Sequence, residues 1–383
     1  MLTLTDKEWI RLIRSVFSPR ASDLRLAILV DVPSGADQDT PAWKSRRAMA
    51  FAWSEQLGRM KEDLDLEQVH LFVYANTGGN NADLPGEAYT GEGRAEDLTV
   101  SVLPQQGLRY PMDEILFDHQ MILAPTQFSA TAPLKVLAKK YGFRAATMPG
   151  FSEAMIPALK LDYDRINRRV SRIKELLDPA EALDIAFESG GRTFSVHFDL
   201  RHREAHASGG RFPDPGTAGN LPSGECYIVP YEGERDHSSL SEGTLPVQFG
   251  DELVLYQIRA NKAVGVPSRG PASYRERNAV RTEPAYANIA EIGFGILGDF
   301  GVRPSGEILL DEKLGLHIAF GRSDHFGGAV GPGDFSAPEK VVHIDRIYIP
   351  ETMDRIQVRS VDLLYPDKPS VRIMQDGRYR IFP

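Results

Sequence analysis

The chain has 383 residues, 42% of them hydrophobic and 25% charged, which is the composition of a globular protein large enough for two domains. Its formal net charge of −9, with lysines and arginines that form no stripe, argues against nucleic-acid binding. No apolar run approaches the about 20 residues of a membrane-spanning helix, and the first 17 residues lack the order of a signal peptide, so we expect a cytoplasmic protein without a membrane partner.

Strand-like and helix-like segments alternate over the first part of the chain. The predicted elements are, in order, an amphipathic helix in 1–17, a strand at 24–31, a helix at 42–60, strands at 69–76, 98–103 and 120–125, and a helix at 131–142. This alternation is typical of a parallel sheet covered by helices. No phosphate-binding glycine motif follows the first strand, so no nucleotide is predicted.

After a long helix predicted over 152–177, the hydrophobic pattern changes to a period of two. Residues 181–201 alternate around a Ser-Gly-Gly turn, which predicts a hairpin. Strands, glycines and prolines then dominate to the end. We therefore predict the α/β class, with a parallel-sheet α/β domain over residues 1–176 and a strand-rich, mixed α+β metal-binding domain over residues 177–383.

The segment KVVHIDRIYIP at 340–350 is the most informative one for function. On a strand, His343 and Asp345 point to the same side, about 6–7 Å apart, while the residues between and before them point to the other. An imidazole and a carboxylate directed together from a stiff strand form half of a metal site. An ordinary pair on an exposed edge strand also explains this motif, because His-x-Asp alone has little specificity.

Three further segments place ionisable side chains in apolar surroundings. Glu225 begins an apolar run after a Pro-Ser-Gly turn, Glu291 lies within NIAEIGFG, and His317 lies within LHIAFG. A buried carboxylate is costly unless it is paired or bound to a metal. Together with His343 and Asp345 these residues supply five ligands. That set is typical of a two-metal hydrolytic site, in which two cations about 3.5–4 Å apart share a water.

The order and spacing of these segments resemble those of the thermophilic-type metalloaminopeptidases, the leucyl aminopeptidase group. The resemblance covers about residues 145–350 and rests on the hairpin at 181–201 and on the segments NLPSGE, NIAEIGFG, LHIAFG and VVHIDRI. A sister group with a similar pattern contains the dioxygenases that open dihydroxypyridine rings. The first part of the chain agrees with the family only in general character.

The resemblance implies a reaction and a set of residue roles. We expect a homodimeric, aminopeptidase-like hydrolase that acts on a small peptide or a related amide through a metal-activated water. The family pattern implies two divalent cations, zinc, cobalt or manganese, bound by Glu225, Glu291, His317, His343 and Asp345. One of the two glutamates could instead act as general base, and Glu291 is the one we favour.

One position departs from the family pattern. The family has a tyrosine seven residues after the first ligand histidine, and this chain has Asp324 there, followed by His325. A tyrosine could donate a hydrogen bond to a developing oxyanion, whereas an ionised aspartate could not. We expect His325 to take over a catalytic role. The alternatives are that His325 binds a metal itself or that Asp324 and His325 lie in a solvated turn. The missing tyrosine puts peptidase activity in question more than metal binding.

Two other functions stay open. A non-haem iron dioxygenase would use one Fe(II) held by His317, His343 and Asp345, although the dioxygenases are expected to carry a histidine at the position of Glu291. A non-catalytic protein that binds a peptide or another partner on the same fold would hold metal weakly and turn over no amide.

Five other residues carry weaker hypotheses. Cys226 is the single cysteine, so no intramolecular disulfide can form, and we expect a small buried hydrophobe there. His119 could act as an acid or base. His202 and His206 are expected to lie in a loop. Tyr227 is expected to point away from the ligands.

Overall fold

The computed structural model describes residues 3–382, which form two compact units. The first unit contains residues 3–167 and 208–223, and the second contains residues 168–207 and 224–382. Residues 208–223, which the sequence analysis placed in the second domain, thus lie in the first unit. None of the described helices is long and apolar enough to cross a membrane.

The first unit is built on a sheet with helices around it. Its strands are β1 (Arg25–Val32), β2 (Gln68–Ala75), β3 (Glu87–Thr90), β4 (Arg109–Pro111), β5 (Met121–Ala124), β6 (Arg144–Thr147) and β10 (Ala218–Asn220). Its helices are α1 (Asp6–Phe17), α2 (Pro41–Arg59), α3 (Leu103–Gln106), α4 (Met112–Asp118), α5 (Thr131–Tyr141) and α6 (Ile156–Leu159). Helix α7 (Tyr163–Leu177) crosses the boundary into the second unit.

The predicted parallel sheet is confirmed. Seven strands lie in the order β10-β6-β5-β1-β2-β3-β4, and the first five of these are parallel, while β3 and β4 are antiparallel to their neighbours. All but the first residue of β1 are buried, as expected for a parallel strand covered on both faces. Because β10 pairs with β6, the short segment at 208–223 completes this sheet.

The N-terminal helix is confirmed as α1, which begins after a capping box formed by Thr5 and Glu8. Residues 1 and 2 of that predicted segment lie outside the described part of the chain. The strand predicted at 98–103 is wrong. The amide of Val102 donates to the carbonyl of Thr99 at 3.1 Å, which closes a turn, and α3 follows at once. A run of β-branched residues here forms turns rather than a strand.

The single helix predicted over 152–177 is also wrong. Pro157 lies in the first turn of α6, because it has no amide hydrogen to donate within a longer helix. Three residues then separate α6 from α7. The side chain of Asp162 accepts a hydrogen bond from the amide of Arg165 at 3.0 Å, so a new helix begins here with its own cap.

The second unit consists mainly of antiparallel strands. They are β7 (Ala182–Ser189), β8 (Arg192–Asp199), β9 (His206–Ser208), β11 (Glu225–Ile228), β12 (Glu242–Phe249), β13 (Glu252–Arg259), β14 (Lys262–Gly265), β15 (Ile289–Gly295), β16 (Leu316–Gly321), β17 (His343–Ile347), β18 (Gln357–Leu364), β19 (Val371–Gln375) and β20 (Arg378–Tyr379). Its short helices are α8 (Pro271–Thr282) and α9 (Ile308–Asp311).

These strands form two sheets. One has eight strands in the order β14-β13-β12-β8-β7-β18-β19-β20, and the other has five in the order β17-β16-β15-β11-β9. The predicted hairpin is confirmed as β7 and β8. Gly190 and Gly191 both have positive φ, which is what a two-residue turn between antiparallel strands requires. All five residues that the sequence analysis selected as ligands lie on strands of the five-stranded sheet.

Candidate metal centre

Two predicted ligands, Glu291 and Asp345, lie in one row across three neighbouring strands of the five-stranded sheet. Residues directly opposite each other on antiparallel strands share a face. Glu291 on β15 lies opposite Ala319 on β16, which in turn lies opposite Asp345 on β17. The two carboxylates are therefore separated by a single methyl group, and this leaves space above the sheet between them.

A second row across the sheet holds the first histidine. Tyr227 on β11 lies opposite Gly293, which lies opposite His317. A Cβ atom at position 293 would overlap the imidazole ring of His317. The ring therefore lies directly over this glycine. His343 lies opposite Gly321, and so each imidazole stands beside a residue without a side chain.

The five side chains converge on one centre. The Nε2 atom of His317 is 3.2 Å from Oε1 of Glu291 and 3.6 Å from Oε2 of Glu225. The Nε2 atom of His343 is 3.2 Å from the other oxygen of Glu291, Oε2, and 3.7 Å from Oδ1 of Asp345. Glu291 thus lies between the two imidazoles and directs one oxygen to each.

These atoms form two overlapping groups that could each hold a metal ion. One group is Glu225, Glu291 and His317, and the other is Glu291, His343 and Asp345, with all ligand atoms of a group within 4.8 Å of one another. Oε2 of Glu225 and Oδ1 of Asp345 are buried and accept no hydrogen bond. An ionised oxygen without a partner is costly to bury, so the donor set fits divalent cations.

Backbone carbonyls orient both imidazoles. Nδ1 of His317 faces the carbonyl of Gly315 at 3.3 Å, and Nδ1 of His343 faces the carbonyl of Arg322 at 2.8 Å. A hydrogen bond from Nδ1–H to a carbonyl directs the Nε2 atom of the same ring towards the carboxylates. Metal-binding histidines are commonly held in this way.

The carboxylates and imidazoles stabilise each other's charged forms. Burial lowers the pKa of His317, but the hydrogen bond and charge of Glu291, together with the charges of Glu225 and Asp345, outweigh burial and raise this pKa to about 9. Burial is outweighed in the same way at His343, whose pKa lies well above its ordinary value. Burial raises the pKa of Glu291, yet the two imidazoles hold it well below its usual range. The centre therefore requires positive charge.

Lys313 is a member of this centre that the sequence analysis missed. Its Nζ atom is 2.7 Å from Oε1 of Glu225 and also contacts the carboxylate of Glu312, and its side chain is 1% exposed. Burial raises the pKa of Glu312 to about 8, although the ammonium of Lys313 opposes this rise. The sequence DEKLG looks like a solvated turn, so its composition gives no signal that the lysine is buried.

His325 lies at the edge of the centre. It belongs to a 3₁₀ turn at Asp324–Phe326, and its ring centroid is 5.3 Å from that of His343. Burial, with the nearby charges of His343 and Arg322, lowers its pKa to about 4. Asp324 is held by Arg322, with Nε 2.5 Å from Oδ1. Burial raises the pKa of Asp324, but Arg322 outweighs burial and lowers it, so this aspartate cannot replace a tyrosine as a hydrogen-bond donor.

The loop that carries His325 is fixed by one buried carboxylate. Glu232 accepts hydrogen bonds from the Ser323 hydroxyl and the Asn288 amide, each at 2.6 Å, and from the backbone amide of Ala329. A carboxylate that accepts from two residues of this loop and from Asn288, next to β15, holds the loop in one conformation. The position of His325 therefore depends on Glu232, which is distant from it in sequence.

Tyr227 does not point away from the ligands, contrary to expectation. It lies two positions after Glu225 on β11, and alternate residues of a strand share a face. Its ring packs against Phe326 at 4.7 Å and His206 at 5.3 Å. Burial raises the pKa of its hydroxyl, and the charges of Glu291 and Glu225 add to this rise. The spacing of two residues was the signal that could have identified it.

The remaining hypotheses have simple outcomes. Cys226 is buried and points to the opposite side of β11 from Glu225, as expected for a hydrophobe. His119 is buried in the first unit, where its Nε2 atom is 2.8 Å from Nδ1 of His70. His202 lies in a turn, as expected, and stacks edge-on against Tyr231 at 5.5 Å. The loop predicted at His206 is wrong, because His206 begins β9, which adds to the five-stranded sheet beside β11.

Comparison with solved structures agrees with this description of the fold. The chain matches 2,5-dihydroxypyridine dioxygenase from Pseudomonas putida with a TM-score of 0.58 and 17% identity, over 97% of this chain and 96% of that one. It matches wild-type AmpT, an aminopeptidase from Thermus thermophilus, with a TM-score of 0.54 and 14% identity, over 97% of this chain and 98% of that one. No protein-family model and no curated protein matches the sequence.

These likenesses define a class of fold. The chain shares its fold with the aminopeptidase AmpT and with 2,5-dihydroxypyridine dioxygenase. Both were expected from the sequence segments. At 14% and 17% identity, the comparisons establish the fold, and the choice between the two chemistries depends on the residues of the centre.

Proposed function

We propose that this protein is a metal-dependent hydrolase that removes the N-terminal residue from a small peptide or cleaves a related amide. The proposal is supported by the five converging ligands and by a fold that an aminopeptidase shares. Two bound divalent cations would lower the pKa of a shared water and polarise the scissile carbonyl.

The observation that carries the proposal is the position of Glu291. Each of its oxygens is 3.2 Å from the Nε2 atom of a different imidazole, and it belongs to both ligand groups. A carboxylate shared in this way is suited to bridge two cations. The ligands of the first position would be Glu225, Glu291 and His317, and those of the second would be Glu291, His343 and Asp345.

The chain itself would supply orientation and proton transfer. Because both oxygens of Glu291 face ligand positions, we assign it as the bridging ligand in preference to the general base. His325 is the better candidate for proton transfer, since its side chain is 35% exposed and lies beside His343 without belonging to either ligand group. Tyr227 shares the face of Glu225 and would form a wall of the site.

A dioxygenase is the second candidate, because a dioxygenase has the same fold over nearly the whole chain. Such an enzyme would need two histidines and one carboxylate around one iron. Among residues 3–382, neither ligand group contains both His317 and His343, since Glu291 lies between them. This arrangement favours two cations and hydrolysis over one iron and oxygen chemistry.

Elemental analysis of the chain, as purified and again after saturation with added metal, separates these candidates. The hydrolase should contain two zinc, cobalt or manganese ions at saturation and release free amino acid from amino-acid amides. One tightly bound iron, with oxygen uptake in the presence of a dihydroxypyridine, would overturn the proposal in favour of the dioxygenase. A chain that binds no metal and turns over neither substrate would instead be a non-catalytic binding protein.

A further inference from the structure

A buried lysine makes the two ligand groups unequal. The Nζ atom of Lys313 is 2.7 Å from Oε1 of Glu225, a member of the first group. The second group has no such neighbour, since Asp345 forms no ion pair with a lysine or arginine anywhere in the described chain. One ligand position thus contains an ammonium group and the other does not.

A close approach between two backbone segments brings this lysine to the five-stranded sheet. Lys313 belongs to a 3₁₀ turn, Glu312–Leu314, just before β16. On β15, Gly295 lies directly opposite Glu225, and a Cβ atom at position 295 would overlap the backbone of Lys313. Only a glycine therefore lets this turn lie against the strand at the point where the ammonium can reach Glu225.

Lys313 also has a second carboxylate beside it. The side chain of Glu312 contacts the ammonium and is largely buried. Two carboxyl groups contact one ammonium, so the lysine is held from both sides and cannot leave the centre without leaving the buried charge of Glu225 unpaired. A fixed positive charge opposes a second cation placed next to it.

We propose that Lys313 sets the order in which the two cations bind. The first cation binds tightly to Glu291, His343 and Asp345. The second binds more weakly to Glu225, Glu291 and His317, because Lys313 engages one oxygen of Glu225 and repels added positive charge. The protein would therefore hold one cation at low metal concentration and acquire the second only at higher concentration. This inference rests on the two-cation centre of the proposed function.

Stepwise metal binding to the full-length chain tests the inference. Metal is removed with a chelator, and Mn²⁺ or Zn²⁺ binding is then followed by isothermal titration calorimetry. We expect two steps whose Kd values differ by about tenfold or more. Lys313→Met should tighten the weaker step by about tenfold and leave the tighter step unchanged, whereas Lys262→Met, at an exposed lysine of β14, should change neither.

A second measurement covers the case in which Lys313→Met is unstable without metal. Lys313→Arg keeps the charge and should retain two unequal steps, and native mass spectrometry counts the bound ions in each variant. Two equal steps in the unsubstituted chain, or a weaker step that Lys313→Met does not change, would overturn the inference and leave hydrolysis intact. Two unequal steps in a chain that cleaves no amide would support the inference while overturning the proposed function.

Discussion

The shared carboxylate of Glu291 gives the sharpest prediction. Glu291→Gln preserves the volume and removes the charge that lies 3.2 Å from each imidazole. Loss of an outer partner of a metal ligand typically costs about 10–100-fold in affinity, so loss of a charged ligand should cost at least the upper value. We therefore expect each of the two metal-binding steps to weaken by about 100-fold or more, which is about 3 kcal/mol per step.

Variants of the carboxylates that belong to only one ligand group provide the matched controls. Glu225→Gln should weaken only the step that involves His317, and Asp345→Asn should weaken only the step that involves His343, because each belongs to one ligand group. Isothermal titration of the metal-stripped chain resolves the steps, and circular dichroism checks the fold. If Glu291→Gln left either step within tenfold of the unsubstituted chain, the bridging role would be refuted.

Three further predictions follow from single contacts. Gly293→Ala should displace the imidazole of His317 and weaken the metal-binding step that involves His317 by about tenfold or more. Gly265→Ala is the control, because a Cβ atom there meets open space and should change neither step. Isothermal titration calorimetry compares the two variants. His325→Ala should lower kcat for an amino-acid amide by about 100-fold while metal content stays unchanged, and a parallel loss of metal would contradict a role in proton transfer. Burial lowers the pKa of His119 to about 4, below its value in the unfolded chain. The stability that comes from its neutral form is therefore complete above about pH 6.5 and is lost as the pH falls towards 4, by about 2 kcal/mol between pH 7 and 5. Urea unfolding should show that loss, and His119→Gln should reduce it.

The convergence of the ligands could be predicted from local patterns. His343 and Asp345 are two residues apart on a strand, and this spacing fixes their common face whatever the rest of the fold does. Glu225 and Glu291 stand in apolar runs, where a carboxylate signals a partner. Such signals need only the immediate neighbours of a residue.

Long-range contacts could not be predicted in this way. Lys313 follows two acidic residues and lies two positions before a glycine, a pattern typical of an exposed turn, and its burial depends on Gly295 on another element. Similarly, the first turn of helix α8 is capped by the carboxylate of Glu252, which accepts hydrogen bonds from the amides of Ala272 and Ser273 at 2.8 and 2.6 Å. Glu252 belongs to strand β13, not to the helix or its flanking residues. A contact between side chains or amides 20 or more positions apart produces no periodic pattern in the sequence from which it could be predicted.

Some errors were avoidable. Pro157 lies inside the helix predicted over 152–177, and a proline in that position should have divided it. Tyr227 is two residues from Glu225, so the rule that paired His343 with Asp345 applied to it as well.

The return of residues 208–223 to the first unit affects how the protein can be divided. A cut at any single peptide bond would separate strand β10 from its neighbour β6 or leave part of one unit attached to the other. A shortened protein that begins at residue 168 would carry an orphaned edge strand, while the remainder would lose the outermost strand of its sheet. Independent production of either half therefore requires an internal excision with a joining linker, not a truncation.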